Sequence, residues 1–202
     1  MISRDEYDRV TSVLAPFGGM DKIDPKVLAR AAARGPVVHS LCQGWIDGID
    51  IDVPSTVQYM CNGVEYEEEV EMKGYVESFI AWAEGKEFLR NPGRMYCDTH
   101  HITGECDGLL QMDDGQVWLF DLKTSASESC TWKYQSAAYT YLLKHSGVKF
   151  VDGEVFVRLS KEGKKAKEHL YTDPKREDTF FSCLETYRIF YKKKQPLILG
   201  DL

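Results

Sequence analysis

The alternation of apolar and polar residues is most regular between residues 104 and 123. Two runs of strand-forming residues flank the turn Asp113-Asp114-Gly115, and this pattern predicts a β-hairpin. Side chains alternate between the two faces of a strand, so Asp121 and Lys123 share one face while Leu122 lies on the other. The hairpin therefore carries a carboxylate and an ammonium group side by side.

The length of the hairpin turn decides where Asp107 points, because a slip of one residue moves every side chain to the opposite face. A two-residue turn places Asp107 opposite Leu122, facing away from Asp121. A three-residue loop that ends in a left-handed Gly115 pairs Asp107 with Asp121 instead. Two carboxylates at that separation repel each other unless a cation lies between them. With Lys123 beside them, our hypothesis is a divalent-metal site on one face of the sheet.

The remaining pattern predicts helices and strands on both sides of the hairpin. The spacing Ser3 to Glu6 is typical of a capping box, and Pro25 and Pro36 suit first helical positions. We expect helices over residues 3–15, 25–35, 36–46, 62–84, 131–143 and 173–194, strand segments at 88–89, 95–97, 155–159 and 168–171, and loops at 47–54 and 124–129.

This order of elements predicts an α+β fold with a central mixed β-sheet, in which a three-stranded antiparallel meander is flanked by helices. The 202 residues are enough for one domain with a sizeable core, and no internal repeat or low-complexity linker divides them. We expect one domain over 1–202, with a helical extension at 1–33, a catalytic core at 34–159 and a C-terminal hairpin strand and helix at 160–202.

Composition narrows the class of protein. The chain is 43% apolar and 28% charged, as ordinary globular proteins are. No apolar run approaches the roughly 18–20 residues that span a bilayer, and the first residues lack the order of a signal peptide, so a cytoplasmic location and no membrane partner are expected. The net charge of −7 argues against a protein that coats nucleic acid indiscriminately.

Three clusters of basic residues interrupt this acidic chain, at 161–167, 175–176 and 192–194. Each is either a solvated surface or a track for phosphate groups, and the solvated surface is the more common case.

The six cysteines argue against a zinc ribbon, since no two of them form a Cys-x-x-Cys pair. Without a secretory signal, we expect reduced and mostly buried thiols. They lie at positions 42, 61, 97, 106, 130 and 183.

Two further polar positions lie on predicted helices. Gln135 and Tyr139 are four residues apart and share one helix face, which an ordinary amphipathic helix with a boundary tyrosine also explains. His39 follows the start of a mostly apolar helix, where a lone histidine is usually a hydrogen-bonded polar group without a catalytic role.

These segments together resemble the PD-(D/E)XK nuclease superfamily, and within it the RecB-type branch of phage and recombination exonucleases. The similarity spans roughly residues 34–143 and implies a restriction-endonuclease-like core, with helices on both sides of a mixed sheet. The matching segments are Arg34-Gly35-x-x-x-His39, Gly104-x-x-Asp107, Phe120-Asp121-Leu122-Lys123-Thr124-Ser125 and Gln135-x-x-x-Tyr139.

The resemblance implies a role for each matching residue. Asp107 and Asp121 are implied to bind the metal, with His39 and the carbonyl oxygen of Leu122 as further ligands. Lys123 is implied to activate or orient water. Oxygen ligands suit Mg²⁺ or Mn²⁺ better than zinc. Gln135 and Tyr139 are implied to brace the site and contact DNA. The additional acidic candidates near the site are Glu87, Asp98 and Glu105.

The chain departs from the family pattern at two places. Cys106 stands where a proline often precedes the first acid, and the second acid, Asp121, is aspartate where glutamate is common; both variations occur within the superfamily. Only Cys183 lies beyond residue 130, which argues against the iron–sulfur cluster of some branches.

The resemblance predicts a metal-dependent DNA exonuclease that hydrolyses phosphodiester bonds in phage or in recombination and repair. A structure-specific endonuclease with the same chemistry, and a non-catalytic nucleic-acid-binding module, are the alternatives. DNA is the expected partner. A homo-oligomer or a recombination partner protein is compatible with the sequence, but no self-complementary patch demands either.

Overall fold

The computed structural model describes residues 6–19, 22–147 and 151–192. These residues form five α-helices, one short 3-10 turn and ten strands. The helices are α1 (Val10–Leu14), α2 (Pro25–Ile46), α3 (Lys73–Ala83), α4 (Trp132–His145) and α5 (Arg176–Phe190), and the 3-10 turn is Ala15–Phe17. The strands are β1 (Asp8–Arg9), β2 (Thr56–Cys61), β3 (Val64–Glu69), β4 (Glu87–Leu89), β5 (Met95–Cys97), β6 (Ile102–Gly104), β7 (Gly108–Gln111), β8 (Val117–Lys123), β9 (Gly153–Arg158) and β10 (Lys167–Leu170).

A five-stranded mixed sheet with the order β10-β9-β8-β7-β4 lies at the centre. β4, β7 and β8 are antiparallel, β9 runs parallel to β8, and β10 returns antiparallel to β9. Two smaller sheets accompany it, one with the order β1-β6-β5 and one made of β2 and β3. The predicted α+β class, with a central mixed sheet and a three-stranded antiparallel part, is confirmed.

Helices cover both faces of the central sheet because each face is apolar. On one face, Leu119 and Phe156 pack with α1, α4 and α5 in a first core. On the other face, Phe120 and Leu122 pack with α2 and α3 in a second core, where Phe79 is fully buried. The alternation predicted along β8 is therefore confirmed.

The β7–β8 turn is the three-residue loop. Gly115 has a φ of 83°, and the Met112 N–H donates to the Gln116 carbonyl oxygen at 2.8 Å. The ladder pairs Gly108 with Phe120, and it ends one position before Asp107 and Asp121. The odd-length loop that the metal hypothesis requires is confirmed.

The long acidic helix predicted over residues 62–84 is wrong in its first half. Residues 56–69 form the β2–β3 hairpin instead, and its turn is Asn62-Gly63, with φ values of 51° and 77°. Two consecutive left-handed residues favour a type I′ hairpin turn and cannot continue a helix. The second half is helical as α3, and it carries the predicted apolar stripe.

The two helices predicted over residues 25–35 and 36–46 are one continuous helix, α2. Pro36 lies inside it, and it removes one backbone N–H from the helical hydrogen bonds. The steric conflict between a proline and the residue before it involves that residue's Cβ. Gly35 has no Cβ, so this part of the conflict is absent.

Both ends of the chain differ from expectation. Asp8–Arg9 is a strand parallel to β6, so the first helix begins only at Val10. The predicted cap at Ser3 lies outside the described residues. The last helix begins at Arg176 and ends at Phe190, and the predicted end at Lys194 again lies outside the described residues.

Other predictions are confirmed with small shifts. β9, β10 and α4 lie where they were expected, and β10 pairs with β9. β5, expected to lead into the hairpin, pairs instead with β6 in the second sheet. All six cysteines are free thiols, and four are buried. Within the described ranges, no helix is long and apolar enough to cross a membrane.

Candidate metal and catalytic site

The two aspartates lie next to each other at one end of the central sheet. Asp107 directly precedes β7, and Asp121 lies in β8 one residue beyond the last ladder pair, Gly108 and Phe120. Asp121 is buried, whereas about a fifth of the Asp107 side chain is exposed. The charge of Asp107 is near enough to raise the pKa of Asp121, so the hairpin brings the two carboxylates close together.

Both oxygens of the Asp107 carboxylate have partners. Oδ1 lies 2.8 Å from Nδ1 of His39, which α2 brings from 68 positions earlier in the chain. Oδ2 accepts a hydrogen bond of 2.6 Å from the Leu122 backbone N–H. The Asp107 backbone carbonyl oxygen accepts from the side-chain amide of Asn91 at 2.8 Å. Asp107 is thus fixed from three directions.

Lys123 holds the Asp121 carboxylate. Its Nζ lies 2.6 Å from Oδ2 of Asp121, although this oxygen is buried and has no aligned hydrogen-bond donor. The ammonium group also lies 4.7 Å from the ring centroid of Phe156 and 5.8 Å from that of Trp132. Aromatic faces attract cations most strongly where water is excluded. The Lys123 ammonium is therefore held by one carboxylate and two rings.

A chain of polar contacts continues from Lys123 into α4. Lys123 Nζ donates to Oε1 of Gln135 at 3.0 Å, and Nε2 of Gln135 donates to the Tyr139 hydroxyl at 2.7 Å. Gln135 and Tyr139 are both buried. A purely amphipathic helix with a boundary tyrosine does not account for this buried contact to Lys123.

Glycines near the aspartates make room for aromatic rings. A Cβ on Gly104 would lie 2.7 Å from a Tyr139 ring carbon, and a Cβ on Gly108 would lie 2.6 Å from a Phe120 ring carbon. Real Cβ atoms do not approach other atoms so closely. The glycine three residues before Asp107 therefore has a packing role, since it lets α4 bring Tyr139 against the strand.

The charges of the site shift one another's pKa values. Burial raises the pKa of Asp121 above its ordinary value; the charge of Asp107 adds to this effect, and the Lys123 ammonium opposes it. Burial acts in the same sense on Asp107, but the adjacent His39 outweighs it and lowers the pKa of that carboxyl. Burial lowers the pKa of His39, yet the charge and hydrogen bond of Asp107 leave it raised. The Asp107–His39 contact therefore favours the ion pair.

The three additional acidic candidates lie in different places. Glu105 lines the same cleft as His39 and Asp107, but it is paired with Arg94 at 2.8 Å. Asp98 accepts a hydrogen bond from the Tyr7 hydroxyl. Glu87 is paired with Gln111 at the turn end of the hairpin, about 13 Å along the strand from Asp107. Only Glu105 is close to the two aspartates.

The cleft lined by His39 and Asp107 has a volume of about 210 Å³. Three of its lining residues were not anticipated: Ser40 and Gln43 from α2, and Asn91. Asn91 holds the main chain at Asp107, and its own Oδ1 accepts from the Gly93 N–H at 2.7 Å. The sequence Asn91-Pro92-Gly93 is a turn signal, but it does not show which carbonyl the amide reaches.

The carboxylates of Asp107 and Asp121 and the imidazole of His39 are chemically suited to bind a hard divalent cation. In this structure the two carboxylates contact protein groups, among them His39 and Lys123. Two carboxylates and an imidazole are ligands of this kind, and Oδ2 of Asp121 is buried without an aligned donor. Among the described residues, however, no group of three or more His, Cys, Asp and Glu side chains is arranged to hold a metal ion. The Asp107 carboxylate contacts His39 and the Leu122 backbone N–H.

Comparisons with known proteins give a fold and no family. No protein-family model matches the chain, and no curated protein sequence matches it. A solved structure from Eubacterium rectale, named Putative exonuclease, is 13% identical with a TM-score of 0.54. The match covers 93% of this chain and 82% of that chain. A structure named SSO0001 is 15% identical with a TM-score of 0.47, over 94% of this chain and 78% of that one. The first likeness shows a shared fold.

Proposed function

We propose that the protein is a divalent-metal-dependent deoxyribonuclease of the PD-(D/E)XK superfamily, and an exonuclease of the RecB type that processes phage DNA or DNA in recombination and repair. The observation that carries this proposal is the pair of carboxylates, Asp107 just before β7 and Asp121 in β8, with Lys123 beside Asp121. His39 on one side and Gln135 on the other complete the set that the sequence resemblance implies.

Mg²⁺ or Mn²⁺ is the proposed cofactor. Asp107, Asp121, His39 and the carbonyl oxygen of Leu122 are the groups that would hold it. When bound, the ion neutralises charge on the attacked phosphate and favours deprotonation of water. The raised pKa of Asp121 and the lowered pKa of Asp107 reflect two carboxylates that share limited compensating charge, which an added cation supplies.

The protein's own groups position the nucleophile and the phosphate. Lys123 presents an ammonium group next to Asp121, where it orients a water molecule and stabilises negative charge that develops on the phosphate oxygens. Oε1 of Gln135 accepts a hydrogen bond from the Lys123 ammonium group and so fixes the direction of that group. Tyr139 in turn fixes Gln135. Phe156 and Trp132 exclude bulk water from the Lys123 side chain.

The exonuclease mode is supported by the sequence resemblance and by the fold shared with the E. rectale protein named Putative exonuclease. An endonuclease of the same chemistry differs in how DNA reaches the site, whereas a binding module does not require paired carboxylates. Substrate topology therefore separates these alternatives.

The test is a time course with end-labelled linear, closed-circular and single-stranded DNA in Mg²⁺ or Mn²⁺. We expect progressive loss of nucleotides from linear DNA, and loss of activity in Asp121→Ala and Lys123→Ala. Asp113→Asn is the matched control, because this exposed acid lies in the turn of the same hairpin.

Each contrary result has a distinct meaning. Cleavage of the closed circle favours an endonuclease. DNA binding without hydrolysis of any substrate favours a binding module. Full activity in Asp121→Ala or Lys123→Ala, with the fold retained by circular dichroism, refutes the site.

A further inference from the structure

The turn between β9 and β10 forms a strongly positive surface. It borders a cavity of about 470 Å³, which we call the basic cavity. Five of its lining side chains are cationic and one is acidic, which gives a local charge of +4 on a chain whose net charge is −7. These six residues are Arg158, Lys161, Glu162, Lys164, Lys165 and Lys167.

Strand pairing links the basic cavity to the candidate site. Lys123 on β8 is paired with Arg158 on β9, and Arg158 is paired with Lys167 on β10. Paired residues share a face, and neighbouring strands lie about 4.8 Å apart, so this cationic row is about 10 Å long. Lys123 is largely buried, Arg158 is partly buried and Lys167 is exposed. The row therefore leads from the site to solvent.

The lysines of the basic cavity differ from Arg176 and Lys192 of the other basic clusters in their ion pairing. Arg176 forms an ion pair with Glu154, and Lys192 forms one with Asp8 at 2.6 Å. Within the part of the chain that the structure describes, no ion pair involves the four lysines of the basic cavity. They are Lys161, Lys164, Lys165 and Lys167. Like charges gathered without partners repel one another and attract polyanions.

The turn that carries these lysines is fixed against α3. A Cβ on Gly74 would lie 1.8 Å from the Lys161 carbonyl oxygen, so glycine is needed for this close approach. The Ser160 N–H donates to the hydroxyl of the buried Ser78 at 2.9 Å. The backbone of the turn is thus anchored to the helix.

Arg158 connects the basic cavity to the loop that follows Lys123. Its Nη1 donates to the Ala126 carbonyl oxygen at 2.6 Å. Its Nε is buried and has no hydrogen-bond partner. Ser125 and Ala126 of this loop also line the cavity, so Lys123 and the lysines lie on two sides of the same short loop.

We propose that the basic cavity binds the phosphate backbone of the DNA segment next to the phosphodiester held at Asp107 and Asp121. The identity of the polymer rests on the proposed function; the polyanion chemistry rests on the lysines. Lysine and arginine side chains contact phosphates without reading sequence, and each contact releases counterions, so this binding weakens steeply with salt. The solvated-surface interpretation of the 161–167 cluster is replaced by a phosphate track.

The test compares Lys164→Ala/Lys165→Ala with Lys86→Ala/Lys144→Ala. The control removes the same charge from the turn end of the sheet and from the last turn of α4. Binding of a fluorescent duplex is measured by anisotropy in EDTA across a range of salt, so that hydrolysis plays no part. We expect affinity to fall about 3- to 10-fold in the first variant only. The slope of log K against log salt should fall in magnitude by about 2.

A second measurement separates this inference from the proposed function. Hydrolysis of bis(p-nitrophenyl) phosphate with Mn²⁺ should be unchanged in Lys164→Ala/Lys165→Ala, since a single phosphodiester at the site does not reach these lysines. KM for DNA should rise. DNA binding that depends on the two lysines, together with no hydrolysis of any substrate, refutes the nuclease and keeps the phosphate track. Equal binding and equal salt slopes in both variants overturn the track, as does a wild-type protein that does not bind DNA.

Discussion

The β2–β3 and β7–β8 hairpins both carry carboxylates, but they hold them in different environments. The β7–β8 hairpin lies in the central sheet between two layers of helices, and its Asp121 is buried. The β2–β3 hairpin is a separate two-stranded sheet, and most of β3 is exposed. Its Glu68 pairs with Lys26 at 2.6 Å and with Arg30 at 3.2 Å. One hairpin holds two neighbouring carboxylates in a largely buried site, and the other forms ion pairs at a partly exposed surface.

The difference shows that neighbours decide what a carboxylate does. Burial and a second carboxylate raise the pKa of Asp121, whereas the hydrogen bond from Lys26 lowers the pKa of Glu68. A buried pair of acids needs a cation to remain charged, and this need is the basis of a metal site. The partly exposed Glu68 beside Lys26 and Arg30 has its compensating charge already.

The largest expected effect is a loss of DNA hydrolysis, caused by a substitution beside the β7–β8 hairpin. Asp107→Asn keeps the size of the side chain and removes its charge, so both the cation site and the His39 ion pair are lost. We expect DNA hydrolysis to fall by at least about a hundredfold, as it does when charge-stabilising groups are removed from active sites. Initial rates on end-labelled linear DNA measure this effect.

Glu67→Gln is the matched change in the other hairpin. Glu67 is exposed and accepts a hydrogen bond of 3.2 Å from Thr56. Its removal should leave the rate within about twofold of wild type, since exposed polar contacts contribute little. Comparable losses of DNA hydrolysis in Asp107→Asn and Glu67→Gln would contradict the proposal that only the β7–β8 hairpin belongs to the active site.

The next effect concerns packing inside the buried hairpin. Gly108→Ala puts a methyl group 2.6 Å from a ring carbon of Phe120, which is itself buried. The ring must move, and overpacking of this kind costs about 1–3 kcal/mol. Denaturant unfolding of the whole chain measures the free energy of unfolding. An unchanged midpoint would show that the space beside Phe120 is not restricted.

A smaller effect is expected at the turn of the exposed hairpin. No atom lies within 4 Å of a Cβ placed on Gly63, but its φ is 77°. Gly63→Ala therefore costs only the left-handed backbone, about 1 kcal/mol. Gly63→Asn should cost less, because asparagine adopts this conformation more readily. If alanine and asparagine destabilise the protein equally, the backbone conformation is not the cause.

Local patterns in the sequence predicted the buried hairpin more fully than the exposed one. The turn at Gly115 and the alternation of Asp121 with Leu122 follow from neighbouring residues alone, whereas the residues left both a two-residue and a three-residue turn open. The same reasoning applied to Asn62-Gly63 would have predicted β2–β3. The run of glutamates and the stripe of α3 favoured a long helix instead, because β3 has no buried residue and therefore little apolar alternation.

Most features that the sequence did not predict depend on contacts between residues far apart in the chain. No local pattern places the His39 imidazole against Asp107, or the Asn91 amide on the Asp107 carbonyl oxygen, since both depend on packing between elements far apart in sequence. His39 entered the candidate set through the family resemblance. The continuous α2 helix is also a tertiary effect, because packing on its apolar face compensates for the hydrogen bond lost at Pro36.

The smallest expected effect is the change in Tm when the ion pairs of Glu68 are removed. The pH dependence of this change has a definite sign. Lys26 lowers the pKa of Glu68 below its ordinary value of 4.5. A carboxyl with a lowered pKa in the folded state adds stability above its unfolded pKa, and this contribution is lost as the pH falls through the folded pKa. Glu68→Gln should therefore lower Tm slightly at pH 7 and leave it unchanged well below pH 4, where both proteins carry a neutral side chain. High salt should reduce the difference at pH 7, and a Tm difference that persists at low pH would indicate lost packing in place of lost charge.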